Sequence, residues 1–135
     1  MIVVDTSAVV AIFRQEDDAQ LYAEEIGRDE QPFMSAANVV EASIVLRSLK
    51  RITPQAAEQW LDAFIQAAGM RIEPVTAEQA DFARAAHARF GRGTGHAAAL
   101  NYGDCFAYAL AKAMQAPLLF KGDDFAQTDI VAALV

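Results

Sequence analysis

Residues 1–12, MIVVDTSAVVAI, decide the fold. Ile2, Val3 and Val4 form an unbroken apolar run, as expected of a short strand covered on both faces in a parallel sheet, and Asp5 ends it. Thr6 and Ser7 then offer N-caps for a helix over AVVAIF. Strand, acid and helix in immediate succession open a βα unit, in which residues just beyond the carboxyl end of the strand face the ligand crevice.

The rest of the chain continues the alternation. Ala19, Tyr22, Ala23 and Ile26 fall at helical spacing within an acidic stretch, predicting an amphipathic surface helix over about 16–30 with Gly27 as its C-terminal cap. Pro32, Phe33 and Met34 suit a second strand, and Ser35 can cap a helix running from Ala36 to about Lys50. Thr53 followed by Pro54 opens the best-signalled helix, with Ala57, Trp60, Leu61, Phe64, Ile65 and Ala68 on one face before Gly69. Arg71–Val75 reads as a short strand that Pro74 confines to an edge. Thr76 and Gln79 have capping-box spacing at the start of a helix to Phe90. A glycine-rich loop over 91–103 precedes a helix expected to begin at Asp104 and to stop before Pro117. Leu118–Phe120 is the last strand, with Lys121–Asp124 a turn at its carboxyl end. This pattern predicts one α/β domain over 1–135 with a central, mostly parallel sheet flanked by helices.

Composition supports a packed core. Hydrophobic residues make up 54% of the 135, which excludes disordered and disulfide-stapled classes, and no run approaches membrane-spanning length. With a single cysteine and no basic leader before an apolar run, a thiol-reduced cytoplasm is the expected compartment. The net charge of -7 argues at first against a phosphate-backbone ligand. Residues 15–31, however, hold seven acids against Arg28 alone, so the charge is concentrated in one segment.

The remaining acids include four in telling positions. Asp5 and Asp123 each follow an apolar strand directly and belong at the same end of the sheet. Asp104 sits at a helix N-terminus, where the macrodipole favours a carboxylate. Glu41 lies in an otherwise apolar helix and shares a face with Asn38. No matching set of buried cations accompanies these four, and a cluster of oxygen ligands suits a hard cation such as Mg²⁺ or Mn²⁺. An Asp in a turn is equally often a plain cap, but capping does not explain Glu41.

In IVVDTSAVVAI, SAANVVEA, NYGDCFAYALAKA and LLFKGDDFAQTDI the chain resembles the successive motifs of PIN-domain ribonucleases, specifically the VapC toxins of type II toxin–antitoxin pairs. The resemblance implies a Rossmann-like, three-layer PIN fold and a Mg²⁺- or Mn²⁺-dependent endoribonuclease. It also implies a homodimer neutralised by a cognate VapB-like antitoxin, with a structured RNA such as a tRNA or a ribosomal RNA loop as target. On this basis the catalytic and metal-ligating quartet falls on Asp5, Glu41, Asp104 and Asp123, with Asp124 able to exchange roles with Asp123. Ser7 matches the hydroxyl beside the first acid, there to touch a metal water or a phosphate, or simply to cap its helix. Asn38 is either an orienting group for the ligands or a polar position on a helix face.

Arg14, Lys50, Arg51, Arg84, Arg89, Arg92, Lys112 and Lys121 are the candidate phosphate contacts, with Arg89 and Arg92 preferred because they flank the glycine-rich loop. The acidic 16–30 segment offers a docking face for a cation-rich antitoxin, or is a solvated surface. Trp60 suits core or dimer interface, Cys105 a buried apolar site, and His96 a solvated loop. Two other readings compete: a PIN-like nuclease acting in RNA processing or on DNA ends, and a non-catalytic binding scaffold.

Overall fold

In the computed structural model, which describes residues 1–134, the chain runs β1 (Ile2–Val4), α1 (Thr6–Phe13), α2 (Ala19–Arg28), β2 (Pro32–Ser35), α3 (Ala36–Arg47), α4 (Pro54–Ala67), β3 (Arg71–Glu73), α5 (Ala77–Phe90), α6 (Tyr102–Met114) and β4 (Leu118–Leu119), then a 3₁₀ turn at Phe125–Gln127. The strands are ordered β3-β2-β1-β4 and every pairing is parallel. β1 is therefore interior, and β3 lies at an edge as Pro74 demands.

Alternation along the strands divides the core in two. Ile2, Val4, Met34 and Leu119 point to one face, where they meet Ala8 and Val9 of α1, Tyr22 and Ile26 of α2, Ala42 and Leu46 of α3 and Leu61 of α4. Val3, Phe33 and Leu118 point to the other, against Ala86 and Phe90 of α5 and Cys105, Tyr108 and Leu110 of α6. Helices, sheet and helices make the three expected layers.

Chain connections from β1 run outward first to β2 and β3, and only the last strand lands on the opposite side of β1. The switch between these directions lies at the carboxyl ends of β1 and β4, where an open α/β sheet forms its crevice. Asp5 N–H donates to Leu119 O at 2.9 Å and Lys121 N–H donates to Ser7 Oγ at 2.9 Å, fastening the two strand ends together.

Several boundaries differ from expectation. The N-cap of α1 is Asp5 itself, whose carboxylate accepts from Ser7 N–H, so Thr6 and Ser7 are already helical. α6 begins at Tyr102 on the cap of Asn101, and Asp104 is its third residue; Asn101 Oδ1 accepts from Asp104 N–H while the Asp104 carboxylate accepts from Asn101 N–H. The acidic helix is shorter than 16–30 and contains Gly27 rather than ending on it. α3 stops at Arg47, and β3 and β4 are trimmed to Glu73 and Leu119.

Candidate active site

Asp5, Glu41 and Asp104 line one cavity of about 320 Å³ at the switch point, together with Ser7, Asn101 and Lys121. Each acid arrives from a different layer: Asp5 from the end of the central strand, Glu41 from the middle of α3, Asp104 from the first turn of α6.

Asp5 is only 2% exposed. Its Oδ2 accepts from Ser7 N–H at 3.0 Å and from Ser7 Oγ at 2.6 Å, whereas the buried Oδ1 has no partner. Burial drives its pKa up to about 7; the two Ser7 bonds oppose the rise, and the charges of Asp104 and Glu41 add to it. Asp104 is pushed up to about 6, again chiefly by burial, with the Asn101 N–H opposing, Glu41 and Asp124 adding, and Arg92 opposing.

Glu41 is held by two devices. Asn38, fully buried, donates from Nδ2 to Glu41 Oε1 at 3.1 Å and to Gly103 O at 2.9 Å, which also fixes the orientation of its amide. Gly103 leaves the space that the carboxylate fills: a Cβ there would overlap Glu41 Oε2 and Cδ and stand 2.8 Å from Oε1. Thr6 Oγ1 donates to Asn38 O at 3.2 Å, linking α1 to this clamp.

Asp123 and Asp124 are exposed in the turn after β4 and lie outside the cavity lining. The charge of Asp124 is among those that raise Asp104. Arg92 acts on Asp104 from the opposite sign. Arg89 is elsewhere: its guanidinium lies over the Phe90 ring and 3.9 Å from Asp129, which also pairs with Lys112. Lys112 is eight residues along α6 from Asp104, roughly 12 Å at helical rise.

Among the described residues no three His, Cys, Asp or Glu side chains converge tightly enough to hold one metal ion in this arrangement. The donor set nevertheless suits a hard cation. Of the four carboxylates that line the cavity, Glu16 is paired with Lys121, whereas Asp5, Glu41 and Asp104 have no ion-pair partner among the described residues and an oxygen of Asp5 is buried there without a hydrogen-bond partner. Lys121, the cation lining the cavity, is instead occupied by Glu16 at 2.7 Å and Asp18 at 3.0 Å.

A PIN domain family model matches residues 2–131. The chain is 48% identical over 132 residues to the ribonuclease VapC28 of Mycobacterium tuberculosis, covering 98% of this chain and 97% of that protein. The chain belongs to the VapC ribonuclease family of PIN domains.

Solved members agree in fold. VapC20 of M. tuberculosis, described as a toxin that cleaves the sarcin-ricin loop, superposes with a TM-score of 0.73 at 20% identity over 97% of both chains. The toxin–antitoxin complex VapBC2 of Rickettsia felis, bound to promoter DNA, contains a chain that superposes at 0.73 with 17% identity, covering 98% of this chain and 96% of that one.

Other side chains singled out from the sequence find structural uses. Burial pushes the Cys105 thiol up to about 11, and its Sγ donates to Asn101 O, which suits an inert core thiol. His96 is more engaged than a solvated loop residue: its Nδ1 accepts from Ala98 N–H at 3.0 Å, and its ring packs edge-on against Phe90. Trp60 stacks on Phe64 at 5.1 Å and takes the edge of Phe13 at 4.8 Å. The acidic stretch is partly consumed internally: Glu16 and Asp18 hold Lys121, Glu25 pairs with Arg28, and Asp29 accepts from the N–H groups of Ile2 and Gln31.

Two contributors are missing from the sequence analysis, Asn101 and Gly103, and the pairing of Lys121 with Glu16 and Asp18 was not foreseen there. The Asn-x-x-Asp spacing over 101–104 was a usable signal for the true start of α6. Gly103 had none, because the group that requires it comes from α3.

Proposed function

We propose that the chain is a divalent-cation-dependent endoribonuclease acting as the toxin of a type II toxin–antitoxin pair, restrained by a VapB-like antitoxin and working in the cytoplasm as a homodimer. One observation carries the reading: Asp5, Glu41 and Asp104 share a single cavity at the switch point, with a buried Asp5 oxygen left unpartnered. The family membership and the antitoxin complexes among proteins of like fold support the partner and the substrate class, a structured RNA such as a tRNA or a ribosomal RNA loop.

Asp5, Asp104 and Glu41 would hold Mg²⁺ or Mn²⁺, with Asp123, or Asp124 in exchange for it, as the fourth acid. A cation held there would supply a water of lowered pKa and neutralise charge on the phosphate and the leaving oxygen. The chain's own residues do the positioning. Ser7 engages one oxygen of Asp5 and leaves the other free; Asn38 and the gap at Gly103 seat Glu41; the Asn101 cap orients Asp104. Arg92 provides positive charge at the same rim. Burial raises the pKa of both Asp5 and Asp104, so holding a cation there would require both carboxylates in their deprotonated form.

The test is RNA cleavage by purified protein in Mg²⁺ or Mn²⁺, beside Asp5→Asn and Asp104→Asn variants and an EDTA control. Cleavage is expected from the unaltered chain alone and only with metal. Activity that survives EDTA and both substitutions would overturn the proposal.

A further inference from the structure

Seven of the eleven Lys and Arg side chains are ion-paired, and the four without a carboxylate partner among the described residues are Arg14, Lys50, Arg51 and Arg92. The charge of Arg92 acts on Asp104. The other three line a single cavity of about 580 Å³ with Phe13, Leu49 and Ile52. In a chain of net charge -7, three unpaired cations in one concavity make a local positive field that composition alone conceals.

The cavity also has a telling address. Val10 of α1 and Val45 of α3 line the catalytic cavity, and Arg14 and Leu49, each four residues further on, line the basic one. Arg14 is the C-cap of α1, one turn on from Val10, and Leu49 follows the C-cap Ser48 of α3, so the basic cavity lies at the C-terminal ends of the same two helices that line the catalytic one. The C-terminal dipoles of α1 and α3 account for a cation near each helix end. They do not account for three cations facing one cavity, when Arg47 already serves the last turn of α3.

We propose that Arg14, Lys50 and Arg51 bind the phosphate backbone of the RNA strand, a few nucleotides from the bond cut in the neighbouring acidic cavity; this rests on the ribonuclease reading above. The division of labour follows from charge. The acidic cavity repels a phosphate until a cation is bound, so attraction of the strand must come from beyond it. Contacts of this kind fix register without reading bases.

The experiment measures binding of a short single-stranded RNA, in EDTA so that it stays intact, across a range of salt concentrations. Each lost phosphate contact lowers the slope of log affinity against log salt by about 0.7 for a single strand. Lys50→Gln/Arg51→Gln is expected to lower the slope by about 1.4 and Arg14→Gln by about 0.7, equally on two unrelated sequences. Arg28→Gln/Arg71→Gln, which removes the same charge from ion pairs elsewhere, is expected to leave the slope unchanged. Melting curves establish that all variants are folded, and Arg14→Gln alone suffices if the double variant is not. An unchanged slope in the cavity variants, or an equal loss in the control, overturns the inference while cleavage by the unaltered chain leaves the ribonuclease reading standing. Binding of polyglutamate that Lys50→Gln/Arg51→Gln abolishes, with the RNA slope intact, would assign the cavity to an acidic protein segment instead. A chain that neither binds nor cuts RNA would overturn both.

Discussion

Gly103→Ala separates stability from activity in an unusual direction. Gly103 is the second residue of α6 and its φ is not in the left-handed region, so alanine fits the backbone and removes unfolded-state freedom, a gain of about 0.4–1 kcal/mol. The new methyl overlaps the Glu41 carboxylate, which is the far end of a flexible side chain and can turn away. Turning away breaks the Asn38 Nδ2 bond to Oε1, a charge-assisted bond of about 1.5–3 kcal/mol, part of which water restores at the cavity mouth. The terms nearly cancel, and Tm should stay within about 4 °C. Activity should not survive as well: displacement of one ligand's seat typically costs about 10–100-fold. The assay is the initial rate of RNA cleavage in saturating Mn²⁺, with thermal melts in parallel. In a Glu41→Ala background the same substitution should cost nothing further, because its target is gone. A Gly103→Ala enzyme at full rate, or an undiminished penalty in the Glu41→Ala background, would refute the seating role.

Three more outcomes follow from the same geometry. Asp5 has a folded pKa of about 7 against about 3.9 unfolded, so its contribution to stability is complete at acid pH and is lost as pH rises towards 7; in EDTA the chain should lose roughly 3 kcal/mol between pH 5 and 8 as an upper bound, read by denaturant melts, and Asp5→Asn should flatten that fall and melt higher at pH 8. Asn38→Ala should cost about 1–3 kcal/mol and Asn38→Asp more, since the latter sets a second carboxylate against Glu41 and the Gly103 carbonyl; cleavage rates should rank in the same order. Asn101→Ala should cost about 1 kcal/mol through loss of the α6 cap, with Asn101→Ser restoring most of it in a melting experiment.

Much of the fold was legible because each strand announces itself by an apolar run that a polar or charged residue closes, and because the helix of Trp60 repeats cleanly at 3.6. What escaped is decided by distant partners. Whether Asp5 or Thr6 caps α1 depends on how the chain leaves β1, and the true cap is the site acid itself. Spacing cannot distinguish Asp123 from Asp124, since one residue of rotation in a turn decides which carboxylate faces Asp104. Cation pairing is equally long-range: Lys121 is held by Glu16 and Asp18 from the other end of the chain, and Arg89 stands 3.9 Å from Asp129. The acids Asp5, Glu41 and Asp104 could be grouped from sequence because a carboxylate at a strand end, a helix start and an apolar helix face each needs a reason, and a shared site supplies it.

In the proposed reaction water activated at the acidic cavity is the nucleophile, and the chemical ends of RNA fragments made by the purified chain in Mg²⁺ report which oxygen attacked. The expected products carry 5′-phosphate and 3′-hydroxyl ends and vanish with Asp104→Asn; 2′,3′-cyclic phosphates opposite 5′-hydroxyls would instead show attack by the RNA's own 2′-oxygen and rule out water as the nucleophile.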